Sequence, residues 1–225
     1  MAVTLWYNGL HGGQAMIFLG PVYRFLEANY AERINHFPLI RLVTYSVDKT
    51  ILYLLIFAVL RGLWLWRRHK RIRLGHELLV FTFTAYVMLL LFLTVFRHSY
   101  FPWQITMDWG RDWHEANWTV LAETWKLRLG LSHFDFYYQS LGNVVWFIPF
   151  GMMLPLLLRP RHKAIHVVFW GMLMSMFIET MQFYMHTGIA DVDDLIFNTT
   201  GAFIGAIIYV CLHRLRMFIW PHAQS

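Results

Sequence analysis

Cysteine is nearly missing from this chain, and charge is scarce. The single thiol, Cys211, lies within an apolar run, so these 225 residues can build neither a disulfide framework nor a thiolate metal site. Charged residues make up 14% of the sequence, against about a quarter in soluble domains, too few to cover a polar surface. Residues 1–16 contain no Lys or Arg, so the positive region of a cleavable signal peptide is missing and none is expected. No internal repeat or low-complexity stretch stands out.

What is present is apolar and aromatic. Hydrophobic residues reach 58% and aromatics 18%, with a mean hydropathy of +0.44. Eleven Trp and eleven Tyr suit a chain that crosses many water–lipid boundaries, where amphipathic rings settle. The expected fold class is all-α, a polytopic transmembrane helical bundle with the lipid bilayer as its first partner. The net charge of +6 does not argue for nucleic acid. The basic residues fall in short clusters between apolar runs, which is a topological pattern and not a binding face.

Apolar runs near the roughly 20 residues needed to span a bilayer occur at 45–66, 78–96, 141–158, 165–184 and 195–212. The third contains Pro149 and Pro155, which are expected to kink it. "RRHKRIR" (67–73), "RPRHK" (159–163) and Arg214 with Arg216 all fall on one side of a five-span arrangement, as the positive-inside rule asks of the cytoplasm. The N-terminus is then outside and the C-terminus inside. The long loop 97–140 and the turn "HTGIADVDD" face outward. Residues 1–44 form a tail whose run 15–30 is expected to be an interfacial or half-inserted helix, followed by a single membrane domain over 45–225. The alternative, a sixth span in the tail, would place Arg24, Arg33 and Arg41 inside.

Polar residues inside the last spans fall into stripes. Gly171, Ser175, Glu179 and Gln182 share one face of the fourth span, and Asp194, Asn198, Gly201 and Gly205 share one face of the fifth. Antiparallel packing across a short turn should bring Gln182 near Asp194, Glu179 near Asn198, Ser175 near Gly201 and Gly171 near Gly205. Asn143 adds an amide at similar depth from the third span. A charged carboxylate at a span centre costs about 2.5–3.5 kcal/mol, and an intramembrane Glu is a functional-site candidate by default. Glu179 lies roughly 7–8 Å deep at 1.5 Å per residue, so it needs a proton, a donor or water.

The expected ligand-binding set is therefore Asn143, Ser175, Glu179, Gln182, Asp191, Asp193, Asp194 and Asn198, with Glu179 the candidate catalytic acid or base. Asp193 or Asp194 could cap the fifth span, and the other polar groups could be interhelical glue. Asp191, Asp193 and Asp194 could hold a divalent cation through oxygen ligands; no other cofactor is evident. Ser175 and Thr187 are the nucleophile candidates, with His186 beside Thr187 in sequence. His162 and His166 are four apart but sit in a basic loop without carboxylates. "HEANW" from His114 and "GHE" at Gly75 lack the second His of a zinc protease. Trp103, Trp109, Trp113, Trp118 and Trp125 are expected on the membrane surface, with ligand stacking as the sharper alternative.

Three blocks carry a resemblance. "NVVWFIPFG" from Asn143, "SMFIETMQ" from Ser175 and "DVDDLIFNTTGAFIG" from Asp191 resemble the successive blocks of the VanZ-like membrane proteins. Many members have an Arg just before the acidic block, where this chain has Ile189 and Ala190; an anion contact made by that Arg would be missing. The resemblance implies a multi-pass protein of the bacterial cell membrane, associated with resistance to the glycopeptide teicoplanin. The ligand expected at the polar site is a lipid-linked cell-wall precursor or a glycopeptide. An enzyme acting on an envelope lipid through Glu179, or a small lipid transporter, is the alternative.

Overall fold

The computed structural model describes residues 16–69, 71–120, 133–158 and 164–219. Among them are six α-helices: α1 (Gly20–Tyr30), α2 (Phe37–Arg67), α3 (Leu74–Thr94), α4 (His133–Leu157), α5 (Ala164–Tyr184) and α6 (Val192–Ile219). Two single 3₁₀ turns, Pro102–Gln104 and Trp113–Glu115, lie in the connection from α3 to α4.

Helices α2, α3, α5 and α6 are long and apolar enough to cross a membrane. The third expected span corresponds to the shorter apolar stretch Leu141–Leu157 of α4. Helix α2 starts well before residue 45, because Pro38 in its first turn favours helix initiation. Its 31 residues extend about 46 Å, longer than a hydrocarbon core of about 30 Å, so the extra turns project toward α1. Helix α1, formed where an interfacial helix was expected, packs on α2. Outward-facing residues of the bundle are large and apolar, among them Leu55, Val59, Leu60, Phe203 and Ile207. A continuous apolar belt of that kind is what lipid demands.

The bundle is assembled around α6, which packs most extensively on α4 and next on α5, while α3 joins α2 to α4. Small residues set these distances. A Cβ on Gly201 would collide with the Val144 carbonyl and sit 2.9 Å from the Phe147 Cβ. One on Gly205 would collide with the Ile148 carbonyl and sit 2.9 Å from the Gly151 Cα. Both glycines therefore serve the α4–α6 approach, whereas the spacing had placed them against α5. Gly171 of α5 instead meets Ala202. The face Gly201, Ala202, Gly205, Ala206 is buried and wide enough to receive a helix on each flank. Pro149 and Pro155 lie inside an unbroken α4. In the turn before Pro149, the Tyr86 hydroxyl of α3 donates to the Trp146 carbonyl.

Candidate functional site

At the end of the bundle where α5 hands over to α6, three polar layers descend into the apolar core. In the outermost, the Asp191 backbone N–H donates to the Glu179 carboxylate at 3.1 Å. In the next, the Asn143 amide of α4 donates to Asp194. In the deepest, the Asn198 amide donates to the Ser175 hydroxyl at 2.9 Å. Ser175, Glu179, Asp193 and Asn198 are all buried. The contacts run about one helical turn out of the register that the spacing predicted. Glu179 lies in the Asp191–Asp194 layer and not opposite Asn198, and Ser175 meets Asn198 and not Gly201. The cause is that 185–191 forms a folded turn whose backbone returns over the end of α5.

Gln182 leaves this set. Its amide donates to the Thr94 carbonyl at the end of α3, 3.3 Å away, and does not reach Asp194. Capping also falls to a different acid: the Asp191 carboxylate accepts the Asp193 N–H at 2.8 Å and so is the N-cap of α6, a role expected of Asp193 or Asp194. The other Asp191 oxygen accepts from the Asn117 amide at 3.0 Å. Asp191 and Asp194 consequently face different partners. Among the described residues no group of three or more His, Cys, Asp or Glu is arranged to hold a metal ion.

The connection after α3 closes over this end. Asn117 pairs as a parallel bridge with Asp191, its N–H donating to the Ala190 carbonyl at 2.8 Å and its carbonyl accepting the Val192 N–H at 3.1 Å. Phe183, fully buried, is held between two partners. Trp113 stacks on it with centroids 4.5 Å apart and planes at 12°, and the Arg111 guanidinium lies 4.3 Å from its centroid. Arg111 also donates to the Phe183 carbonyl at 2.6 Å and pairs with Glu115 at 2.8 Å. On the outer edge, His186 contacts Asp108 at 3.1 Å. That contact, then the Gly110 N–H, holds the Asp108 carboxyl below the ordinary carboxylate value.

Between this loop and the α5–α6 corner lies a cleft of about 230 Å³ lined by Trp113, Trp118, Met176, Glu179, Asp191 and Leu195, among others. Glu179 is its deepest carboxylate, and the walls are mostly apolar. Of the loop tryptophans, Trp113 and Trp118 line the cleft, whereas Trp103 and Trp109 are largely exposed. Trp125 and His162 lie outside the described residues. Neither nucleophile candidate meets a base: Ser175 accepts from Asn198, Thr187 Oγ1 is buried without a hydrogen-bond partner among the described residues, and His186 turns to Asp108. Glu77 of "GHE" forms a two-pronged pair with Arg61, both contacts at 2.9 Å, clasping α3 to α2.

A second buried polar cluster escaped the sequence reading. Asp48 and Lys49 of α2 are completely buried. Asp48 accepts the N–H groups of Ile17, Phe18 and Leu19 at 2.9, 2.7 and 2.6 Å and the Tyr100 hydroxyl. Lys49 donates to the Phe96 and Ser99 carbonyls and lies 4.3 Å from the Tyr45 ring centroid. The signal was the adjacent acid and base three residues inside the first span, a placement that lipid does not tolerate without partners.

An all-helical bundle with four bilayer-length apolar helices, and a carboxylate-floored cleft at one end, defines a multi-pass membrane protein. The VanZ/LLP1 family profile matches residues 83–214, more than half of the chain and all three polar layers, and the chain belongs to that family. No curated protein and no solved structure matches it.

Proposed function

We propose that this VanZ-family protein acts in the bacterial cell envelope by binding an amphiphilic ligand in the cleft above Glu179. The ligand would be a lipid-linked cell-wall precursor or an acylated glycopeptide, and the consequence would be reduced susceptibility to teicoplanin. In this reading the acidic corner faces outward, as the arginine clusters at the opposite helix ends favour.

The observation that carries the proposal is the position of Glu179. It is buried and about one and a half turns below the end of α5, with one backbone donor, and it lines a mostly apolar cleft walled by two tryptophans. Interhelical glue alone would tie the side chain to a side chain of the neighbouring helix, as the Asn198 amide is tied to the Ser175 hydroxyl. A carboxylate kept at the floor of a cleft has capacity left for a ligand.

The test is teicoplanin susceptibility of a sensitive Gram-positive host expressing wild type, Glu179→Gln or Asp194→Asn, with membrane abundance matched by immunoblot. Protection by wild type that both variants lose would support the reading. Protection that survives both changes would reduce the polar layers to packing. A wild type that does not protect would remove the glycopeptide link.

A further inference from the structure

Resting on that reading, and favouring its acylated glycopeptide over a lipid-linked precursor, whose head is a pyrophosphate, we propose that the cleft selects an amine-bearing amphiphile, seating an ammonium head between Trp113, Trp118 and the carboxylates of Glu179 and Asp191.

The argument is one of charge and shape. Among the cleft-lining residues none is Lys, Arg or His. Arg111, a described cation of the covering loop, is committed to Glu115, the Phe183 carbonyl and the Phe183 ring. The positive end of α6 reaches the rim through Val192 and Leu195. It is already capped by Asp191 and carries Asp193 and Asp194 in its first turn. A phosphate or pyrophosphate head would therefore meet carboxylates and, among the described residues, no free cation, at a depth where water screens the repulsion weakly. An ammonium meets the opposite: acceptor oxygens of Glu179 and Asp191 and two indole rings in the cleft wall, the combination that attracts cations.

The dimensions fix what enters. About 230 Å³ is smaller than the roughly 300–1,000 Å³ of sites that enclose a drug-sized ligand, so the cleft takes a head group and not a whole lipid. Met176, half exposed on α5 about one turn below Glu179, is the deepest lining residue on that helix. The cleft thus opens toward the apolar flank of the bundle, where an alkyl chain can remain in the bilayer.

The probes are chain-matched: dodecyltrimethylammonium, dodecyl phosphate and dodecyl maltoside. Each is titrated against purified full-length protein in micelles of a different nonionic detergent, with tryptophan fluorescence and calorimetry as readouts. Wild type should bind the ammonium compound at least about tenfold more tightly than either other probe, the margin one charge-assisted contact supplies. Glu179→Gln should erase that margin. Asp191→Asn, which keeps the helix cap, should reduce it, so that loss of preference can be told from loss of fold. Unfolding temperatures of the variants are measured alongside.

A second arm places a dioleoyl lipid with a trimethylammonium head in nanodiscs. Binding there assigns the bilayer as the source, and binding only of the soluble probe assigns an external amphiphile. Preference for the phosphate or the maltoside would overturn the ammonium assignment while leaving a ligand cleft in place. Binding of no probe, with teicoplanin protection unaffected by Glu179→Gln, would overturn both.

Discussion

The backbone N–H of Asp191 points at the Glu179 carboxylate from 3.1 Å, while the Asp191 side chain caps the helix that follows. One residue thus fixes where α6 starts and how the floor of the cleft is oriented. Its remaining carboxylate oxygen ties the covering loop down through Asn117.

Asp191→Ala should therefore lower stability by about 1–2 kcal/mol, the range of a lost N-cap, and free the loop as well. Asp191→Asn, an equally good cap, should stay within about 0.5 kcal/mol of wild type. Denaturant unfolding in a mild detergent, followed by Trp fluorescence, measures both. Equal losses in the two variants would show that charge and not capping matters there.

Asp48 organises the tail in a comparable way. Asp48→Ala leaves three N–H groups and the Tyr100 hydroxyl without their acceptor. A hydrogen bond to a charged group contributes about 1.5–3 kcal/mol, so the segment before α1 should detach. Limited proteolysis should then cut near residues 16–19 in the variant and not in wild type. The intact bundle beyond residue 45 should survive as a large fragment.

Close packing of α4 on α6 predicts a sharp contrast between glycines. Gly205→Val should cost about 3 kcal/mol or more, beyond the usual 1–3 kcal/mol of overpacking, because the added Cβ meets backbone of α4. It should strongly reduce membrane accumulation. Gly62→Ala, with open space around its Cα, should be neutral or stabilising by up to about 1 kcal/mol, since Ala favours helix. Thermal unfolding of both variants reads the difference.

The Asp108–His186 contact gives a pH dependence of definite sign. The folded Asp108 carboxyl is held below its ordinary value, first by His186 and then by the Gly110 N–H. Its contribution is thus present above about pH 4, the unfolded carboxylate value, and is lost as pH falls through the lower folded value. Hydrogen exchange at the Gly110 amide, which Asp108 accepts at 3.0 Å, should lose protection over that acidic window. In Asp108→Asn the protection should no longer vary there. Both groups are about half exposed, so the effect should be local to the outer edge of the loop.

Much of this molecule was legible before its structure. Long apolar runs fixed the helices, because lipid offers the backbone no other partner, and α5 matched its expected span within one residue. Asn143, Ser175, Glu179, Asp194 and Asn198 were picked out by the cost of placing polar groups in hydrocarbon, and they do assemble. Asp48 and Lys49 obey the same rule, yet their tail and loop partners lie about 30 and 50 residues away in sequence.

What the sequence by itself determined, then, is which segments enter the membrane and which polar residues must find company there. Periodicity places a residue on a face, and the cost of a bare polar group forbids leaving it unpaired. Which partner each one takes was decided only by the tertiary structure. With the folded turn at 185–191, Ser175 and Gly171 meet α6 about one helical turn from their expected partners, and Gln182 turns to α3 instead. The face Gly201–Ala202–Gly205–Ala206 let α6 receive α4 and α5 together. The bridge between Asn117 and Asp191 laid two tryptophans over Glu179. Those outcomes depend on backbone path and on close approach between distant segments, quantities that spacing along a single helix does not encode.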